Sequence, residues 1–109
     1  MLHVRFAETN GALIVTPLVT RLDAETAPDF RTTVGPAVAG RRLVVVSLSH
    51  VRSMDASGLA ALVSVLQRLG PGGELRIAHA GPRVRALLAS THLDELFPSF
   101  DDATSALLA

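Results

Sequence analysis

The most uniformly apolar stretch of the chain runs from Leu43 to Leu48, where only Ser47 interrupts the aliphatic side chains. A strand without a polar face must be covered on both sides, so this run predicts the central strand of a sheet flanked by helices. A second segment, from Leu59 to Leu69, repeats apolar residues at helical spacing and predicts an amphipathic helix. The polar residues between the two segments therefore predict a loop from the end of the strand to the start of the helix.

Within this loop, Asp55 stands where a helix N-cap belongs, and Ala56, Ser57 and Gly58 form the first helical turn. The backbone N–H groups of a first turn have no intrahelical partner and carry the positive end of the helix dipole. Such a turn at the end of a central strand is a ready place for an anion or a partner. The sequence therefore predicts the functional surface here.

The N-terminal third predicts a β-hairpin followed by a helix. Residues 2–8 and 12–19 are strand-like, with a strong asparagine-glycine turn signal between them. Pro17 cannot donate a backbone hydrogen bond and predicts an exposed side or a bulge in the second strand. The helix is expected to start at Thr26 with the hydroxyl as its cap, and Pro36 is expected to kink or loosen it.

The C-terminal half predicts a strand from Glu74 to Ala80 and a third helix that opens at Gly81-Pro82. A short final helix is expected after Asp101 or Asp102, either of which can cap it. Because helices alternate with strands after the hairpin, we predict a single α/β domain over residues 1–109. Its expected architecture is a sandwich with a mixed central sheet of about five strands and about four helices.

Composition excludes several classes of function. A formal net charge of +0, without strong basic clustering, argues against nucleic acid and anionic membrane surfaces as partners. The chain has no cysteine, which excludes disulfides, thiolate metal sites and cysteine nucleophiles. No run reaches the roughly 18 apolar residues of a membrane span, and the N-terminus has no signal-peptide core. A cytoplasmic protein without membrane insertion is therefore expected.

No constellation in the sequence predicts catalysis. The four histidines lie on different predicted elements without ligand spacing, so neither a metal nor a cofactor is expected. Ser57 lacks the leading glycine of a nucleophile elbow and an assignable base, which favours a small hydroxyl in a helical turn. Asp23 and Asp55 could form an acid pair, but each precedes a helix, and capping is the favoured role. The chain is therefore not expected to be an enzyme.

Together these residues resemble a STAS domain, the fold of the bacterial anti-sigma factor antagonists, also called anti-anti-sigma factors. The resemblance extends over essentially the whole chain, and in this setting the Met-Asp-x-Ser-Gly-Leu segment is fairly specific. It is carried by the hairpin, Leu22-Asp23, the central strand with Ser49-His50-Val51, Met54-Asp55-Ala56-Ser57-Gly58-Leu59, Gly72-Gly73, and Leu93-Asp94-Glu95-Leu96-Phe97-Pro98 with Asp101-Asp102. The resemblance implies a STAS-like α/β sandwich.

It also implies a regulator that binds an anti-sigma factor with an ATP-dependent serine-kinase domain and so frees a sigma factor. No oligomeric state is implied. A bulky or charged residue at Gly58 is expected to weaken binding without unfolding the domain. The expected contact patch consists of Asp23, Met54, Asp55, Ala56, Ser57 and Gly58.

In this family the kinase phosphorylates a Ser or Thr directly after the loop aspartate, and the phosphorylated antagonist then lets go of its partner. That position is Ala56 here, which has no hydroxyl, so phosphate switching at it is not expected. Ser57 is the remaining candidate acceptor. Thr20 is a second departure, since glycine is common there in the family. STAS domains also serve as accessory subunits of lipid or anion transporters and of signalling assemblies, and this alternative stays open.

Overall fold

The computed structural model describes residues 3–109, and Leu2, in the first predicted strand, lies outside them. The described strands are β1 (Val4–Thr9), β2 (Ala12–Pro17), β3 (Arg21–Leu22), β4 (Leu43–Ser47), β5 (Ser53–Met54), β6 (Glu74–Ala78) and β7 (Ser99–Phe100). The described helices are α1 (Ala27–Val38), α2 (Ala56–Leu66), α3 (Pro82–Ser90) and α4 (Ala103–Leu108).

The main sheet has five strands in the order β1-β2-β4-β6-β7, so the apolar strand β4 is central. Strand β1 is antiparallel to β2, whereas β2, β4, β6 and β7 are parallel to one another. The hairpin between β1 and β2 turns at Asn10 and Gly11, whose φ angles of 49° and 82° suit a tight hairpin turn. The mixed α/β architecture predicted from the sequence is confirmed.

The main core lies between the sheet and helices α1, α2 and α3. Val44 and Val46 of β4 are fully buried on this side, together with Phe30 of α1. Val45 packs on the opposite side against a smaller cluster that includes Ala106 of α4. Each large aliphatic or aromatic side chain buried in this way stabilises the fold by about 1.5–3 kcal/mol. The central strand is therefore covered on both faces, as its uniform hydrophobicity predicts.

Pro17 requires neither an exposed strand nor a bulge. It is buried at the end of β2, and the ladder between β2 and β4 covers only Leu13–Val15. The N–H of Leu18 donates to the carbonyl of His3 at 2.9 Å, toward β1. Successive N–H groups of a strand point in opposite directions, so an N–H at residue 17 would face away from β1. On that side the ladder with β4 has already ended, and the donor that proline lacks is not needed.

Two element boundaries differ from the sequence prediction, whereas helix α1 runs through Pro36 to Val38. Helix α2 ends at Leu66 rather than Leu69. The backbone N–H groups of Arg68 and Leu69 donate to carbonyls three residues earlier, which tightens the chain into a turn. Strand β6 ends at Ala78 because His79 has φ +58°, a left-handed conformation that leaves the sheet.

Candidate partner-binding site

The start of α2 is closed by the carboxylate of Asp55. Its Oδ1 accepts hydrogen bonds from the backbone N–H of Ser57 at 2.8 Å and of Gly58 at 3.2 Å. The backbone of Asp55 is extended, with φ −121° and ψ −171°, as an N-cap requires. The predicted cap is confirmed, and the carboxylate already satisfies donors that would otherwise face an anion.

A short parallel ladder joins this turn to a second loop. Strands β3 and β5 pair Arg21 with Ser53 and Leu22 with Met54, and the N–H of Asp55 donates to the carbonyl of Leu22 at 3.3 Å. The sequence predicts no such ladder, because Ser53 and Met54 fall in the predicted loop and Arg21 and Leu22 at the end of the second predicted strand. The effect of the ladder is to hold the turn after β3 beside the turn after β5.

The turn after β3 is organised by Asp23. Its Oδ1 accepts hydrogen bonds from the backbone N–H of Glu25 at 3.0 Å and of Thr26 at 3.3 Å. The Thr26 hydroxyl was predicted to cap α1, but it donates to the carbonyl of Arg21 at 3.0 Å and accepts from the N–H of Asp23 at 2.9 Å. Because the chain makes an extra turn before α1, the hydroxyl is directed back toward β3.

Gly58 allows α2 to approach β3 closely. The residue is buried, and a Cβ atom added to it would lie 2.3 Å from the carbonyl oxygen of Leu22 and 2.6 Å from Cγ of Met54. A contact of that length with backbone cannot be relieved by a side-chain rotation. A bulky residue here should therefore lower the stability of the domain as well as any affinity for a partner. Contact between Gly58 and a partner stays a prediction.

The six predicted patch residues form one surface with a graded exposure. Asp55 and Ala56 are exposed, Asp23, Met54 and Ser57 are half-buried, and Gly58 lies beneath them. Apart from the two aspartates, the side chains of this surface are uncharged. The outermost part of the turn thus combines one carboxylate with one methyl group, which leaves room for close approach by another protein.

Two further properties bear on function. Among residues 3–109, no group of three or more His, Asp or Glu side chains is arranged to hold a metal ion. Within the same range, no helix is long and apolar enough to cross a membrane.

A mixed five-stranded sheet with helices on both faces, and an aspartate-capped turn after its central strand, define the STAS class of α/β domains. The family profile described as STAS domain matches residues 3–106, so this chain belongs to that family. The chain is 29% identical to an anti-sigma F factor antagonist of Paenibacillus polymyxa, over 97% of this chain and 92% of the relative.

Solved structures give the same result for the fold. The chain is similar to an anti-sigma factor antagonist from Mycobacterium paratuberculosis, with a TM-score of 0.87 and 26% identity over 99% of this chain and 92% of the other. It also matches an anti-sigma factor antagonist (STAS) domain protein from Planctomyces limnophilus, with a TM-score of 0.89. That match covers 99% of this chain and 97% of the other at 22% identity, and it shows the fold alone.

The family resemblance predicted from the sequence is confirmed by these matches. Because the antagonist relatives belong to a family of non-enzymatic regulators, the prediction that the chain is not an enzyme is confirmed at the level of that family. The roles of the individual site residues in binding stay predictions.

Proposed function

We propose that this protein is an anti-sigma factor antagonist that sequesters an anti-sigma factor with a serine-kinase domain and so frees a sigma factor in the cytoplasm. In this proposal residues 1–109 act as a single STAS domain without a cofactor. The observation that carries it is the exposed turn at Asp55 and Ala56, held beside the Asp23 turn by the β3–β5 ladder. Similarity to named antagonists along almost the whole chain supports it.

The patch is suited to a protein partner because it is both open and rigid. Ala56 is small and exposed, so a partner's backbone can approach the first turn of α2 without displacing a long side chain. The backbone below it is held by the Asp55 cap and by the packing of Gly58 on Leu22. A surface that is already ordered loses less conformational entropy on binding, which favours affinity.

In this proposal the patch is not switched off by phosphate. Ala56 has no hydroxyl, and a kinase aligned on that position would meet Ser57 rotated by about 100° around the helix. In-line transfer needs reacting atoms about 3–3.5 Å apart, so such a rotation is a large obstacle. A phosphate on Ser57 would also add about −1.5 to −2 charge beside Asp55, which already occupies the nearest free N–H groups.

The binding surface is tested with Ala56→Arg and a matched control, Ala89→Arg, which places the same side chain on an exposed alanine in the last turn of α3. Immobilised wild-type protein is used to capture partners from a lysate of the source organism, and the captured protein is identified by mass spectrometry. We expect an anti-sigma factor with a kinase domain, bound by the wild type and the control but not by Ala56→Arg. Equal capture by all three would place the contact surface elsewhere.

The second test introduces the family acceptor. Wild type and Ala56→Ser are incubated with the captured kinase and ATP, and the products are analysed by intact and fragment mass spectrometry. We expect one phosphate on Ala56→Ser, ATP-sensitive binding of that variant, and no phosphate on the wild type. A stoichiometric phosphate on wild-type Ser57 would contradict the unswitched antagonist, whereas an unmodified Ala56→Ser would show that the partner is not such a kinase.

The alternative of a transporter subunit is an outcome of the same capture. If the recovered partner were a permease or a transport ATPase, the antagonist proposal would be wrong. The STAS family membership of the chain would be unaffected, because it rests on the match over residues 3–106.

A further inference from the structure

A pocket of about 440 Å³ opens beside the predicted patch, at the carboxyl ends of β4 and β6. Two segments line it: the end of β4 with the loop that follows, and the link from β6 to the start of α3. The lining residues are Leu48, Ser49, Val51, Arg52, His79, Gly81, Pro82 and Arg83. Small-molecule pockets in proteins have volumes of about 300–1,000 Å³, so this one is large enough for a compact ligand.

The floor of the pocket is apolar, and the charged side chains of its described lining are both arginines. Leu48 and Val51 are buried beneath it, and none of the described lining residues is an acid. Arg52 and Arg83 both belong to the lining. Two guanidinium groups without a lining carboxylate form an electrostatically positive rim, which favours an anionic ligand.

The two arginines of this rim, unlike several others in the chain, are not paired with a carboxylate. Four arginines form ion pairs within 4.0 Å, namely Arg21, Arg41, Arg76 and Arg85. Among residues 3–109, Arg52 and Arg83 form no such pair and no side-chain hydrogen bond. Their guanidinium donors therefore need no protein bond to be broken before they bind a ligand.

We propose that this pocket binds a small organic anion, a phosphate or carboxylate carried on a compact apolar body. The apolar part lies on the exposed ring of Pro82, above the buried Leu48 and Val51, and the anionic group is held by Arg52 and Arg83. The concave shape and the limited volume favour a small molecule over an extended peptide, which would need a longer groove. The site is separate from the patch at Asp55, and it does not depend on which protein binds there.

The test is an amide NMR titration of the intact protein with naphthyl phosphate and with naphthoate, which share an apolar body and differ in the anionic group. Naphthol supplies the body without charge, and inorganic phosphate supplies the charge without the body. We expect shift changes at residues 48–52 and 79–83, and a Kd for at least one of the two anions at least about tenfold lower than for either partial probe. Added salt should weaken that binding, because the arginines are exposed.

The Arg52→Gln/Arg83→Gln double variant should raise the Kd of the bound anion by about tenfold or more, since it removes both charge-assisted contacts. Arg31→Gln is the matched control, because Arg31 is an exposed arginine of α1 outside the pocket lining, and it should leave the Kd unchanged. The amide spectra themselves report whether each variant is folded.

Three results would overturn the proposal: shifts centred elsewhere on the molecule, naphthol binding as tightly as both anions, or a folded double variant that retains wild-type affinity. The salt titration on the wild type provides an independent measurement if the double variant does not fold. An affinity for both anions that does not change with salt would also count against the site.

Discussion

Helices α2 and α3 both begin at the carboxyl end of a parallel strand, yet they begin in opposite ways. Helix α2 is closed by the Asp55 carboxylate, and Gly58 in its first turn is pressed against the backbone of β3. Helix α3 has Gly81 as its N-cap, where the described structure has no side-chain cap, and a Cβ there would have no heavy atom of residues 3–109 within 4 Å beyond the glycine and its two chain neighbours. One start is closed and tightly packed, and the other is open.

Because of this difference, each helix start favours a different kind of ligand. A carboxylate over a helix start satisfies the free N–H groups and repels other anions, so the surface around Asp55 favours a protein partner. An open start flanked by arginines leaves donors and positive charge available, so the pocket beside Gly81 favours a small anion. The two sites can therefore lie close together on one edge of the sheet without competing for the same ligand.

The largest expected effect is the difference in stability between a methyl group added at the start of α2 and one added at the start of α3. Gly58→Ala should destabilise the domain by about 2–3 kcal/mol, because its Cβ would overlap the carbonyl oxygen of Leu22. Gly81→Ala is the matched control and should be close to neutral, since the space around it is open. Urea unfolding followed by circular dichroism measures both. Equal stability of the two variants would mean that the two helix starts are packed alike.

Removal of the cap on α2 should have a smaller effect. Asp55→Ala loses the acceptor for the N–H groups of Ser57 and Gly58, and should reduce the free energy of unfolding by about 1 kcal/mol. Asp55→Asn keeps an acceptor of the same shape and should recover most of that loss. The same urea titration tests this, and the prediction fails if asparagine and alanine are equally destabilising.

Conversion of the open start into a closed one should change stability only slightly. Gly81→Asp places a carboxylate at the N-cap of α3 and should stabilise the domain by a few tenths of a kcal/mol. The same carboxylate would neutralise the rim formed by Arg52 and Arg83, so the affinity for naphthyl phosphate or naphthoate should fall. Thermal unfolding and the NMR titration report these two changes separately. If the anion affinity were retained, the charge of the helix start would not govern the pocket.

The smallest expected effect concerns a third helix start, that of α4. The N–H of Ser105 donates to Asp102 at 2.7 Å, and hydrogen bonds from Ser105, aided by the nearby His79, lower the pKa of this exposed carboxyl. A lowered pKa means that the charged form stabilises the fold at neutral pH, and that this contribution is lost as the pH falls through the folded-state pKa. The stability difference between wild type and Asp102→Ala should therefore shrink as the pH is lowered from 7. A constant difference would exclude a charge-dependent cap.

The sequence predicts features that depend on neighbouring residues and misses those made by distant backbone. The Asp55 cap and the central position of β4 follow from local patterns, because capping needs a fixed spacing and a buried strand needs a uniform run. The β3–β5 ladder is two residues long on each side and has no periodicity to detect. The close approach behind Gly58 depends on a carbonyl in that ladder, so no local rule distinguishes this glycine from a flexible one.

The pocket was missed for a related reason. Its two arginines, Arg52 and Arg83, belong to different loops, and the overall charge of +0 gives no sign that they lie together. The topology that places β4 next to β6 brings these loops to one edge of the sheet. Spatial clustering of charge is thus a property of strand order, which sequence composition does not contain.

Because the β3–β5 ladder joins distant segments, the predicted patch is complete only in the folded chain. Asp23 and Asp55 are separated in sequence by α1 and β4, and they meet only when both of those elements have docked. A partner that contacts both turns would therefore ignore nascent, truncated or partly unfolded copies. The concentration that such a partner senses is that of completely folded protein, and heat or mutation that opens α1 would lower it as if less protein had been made.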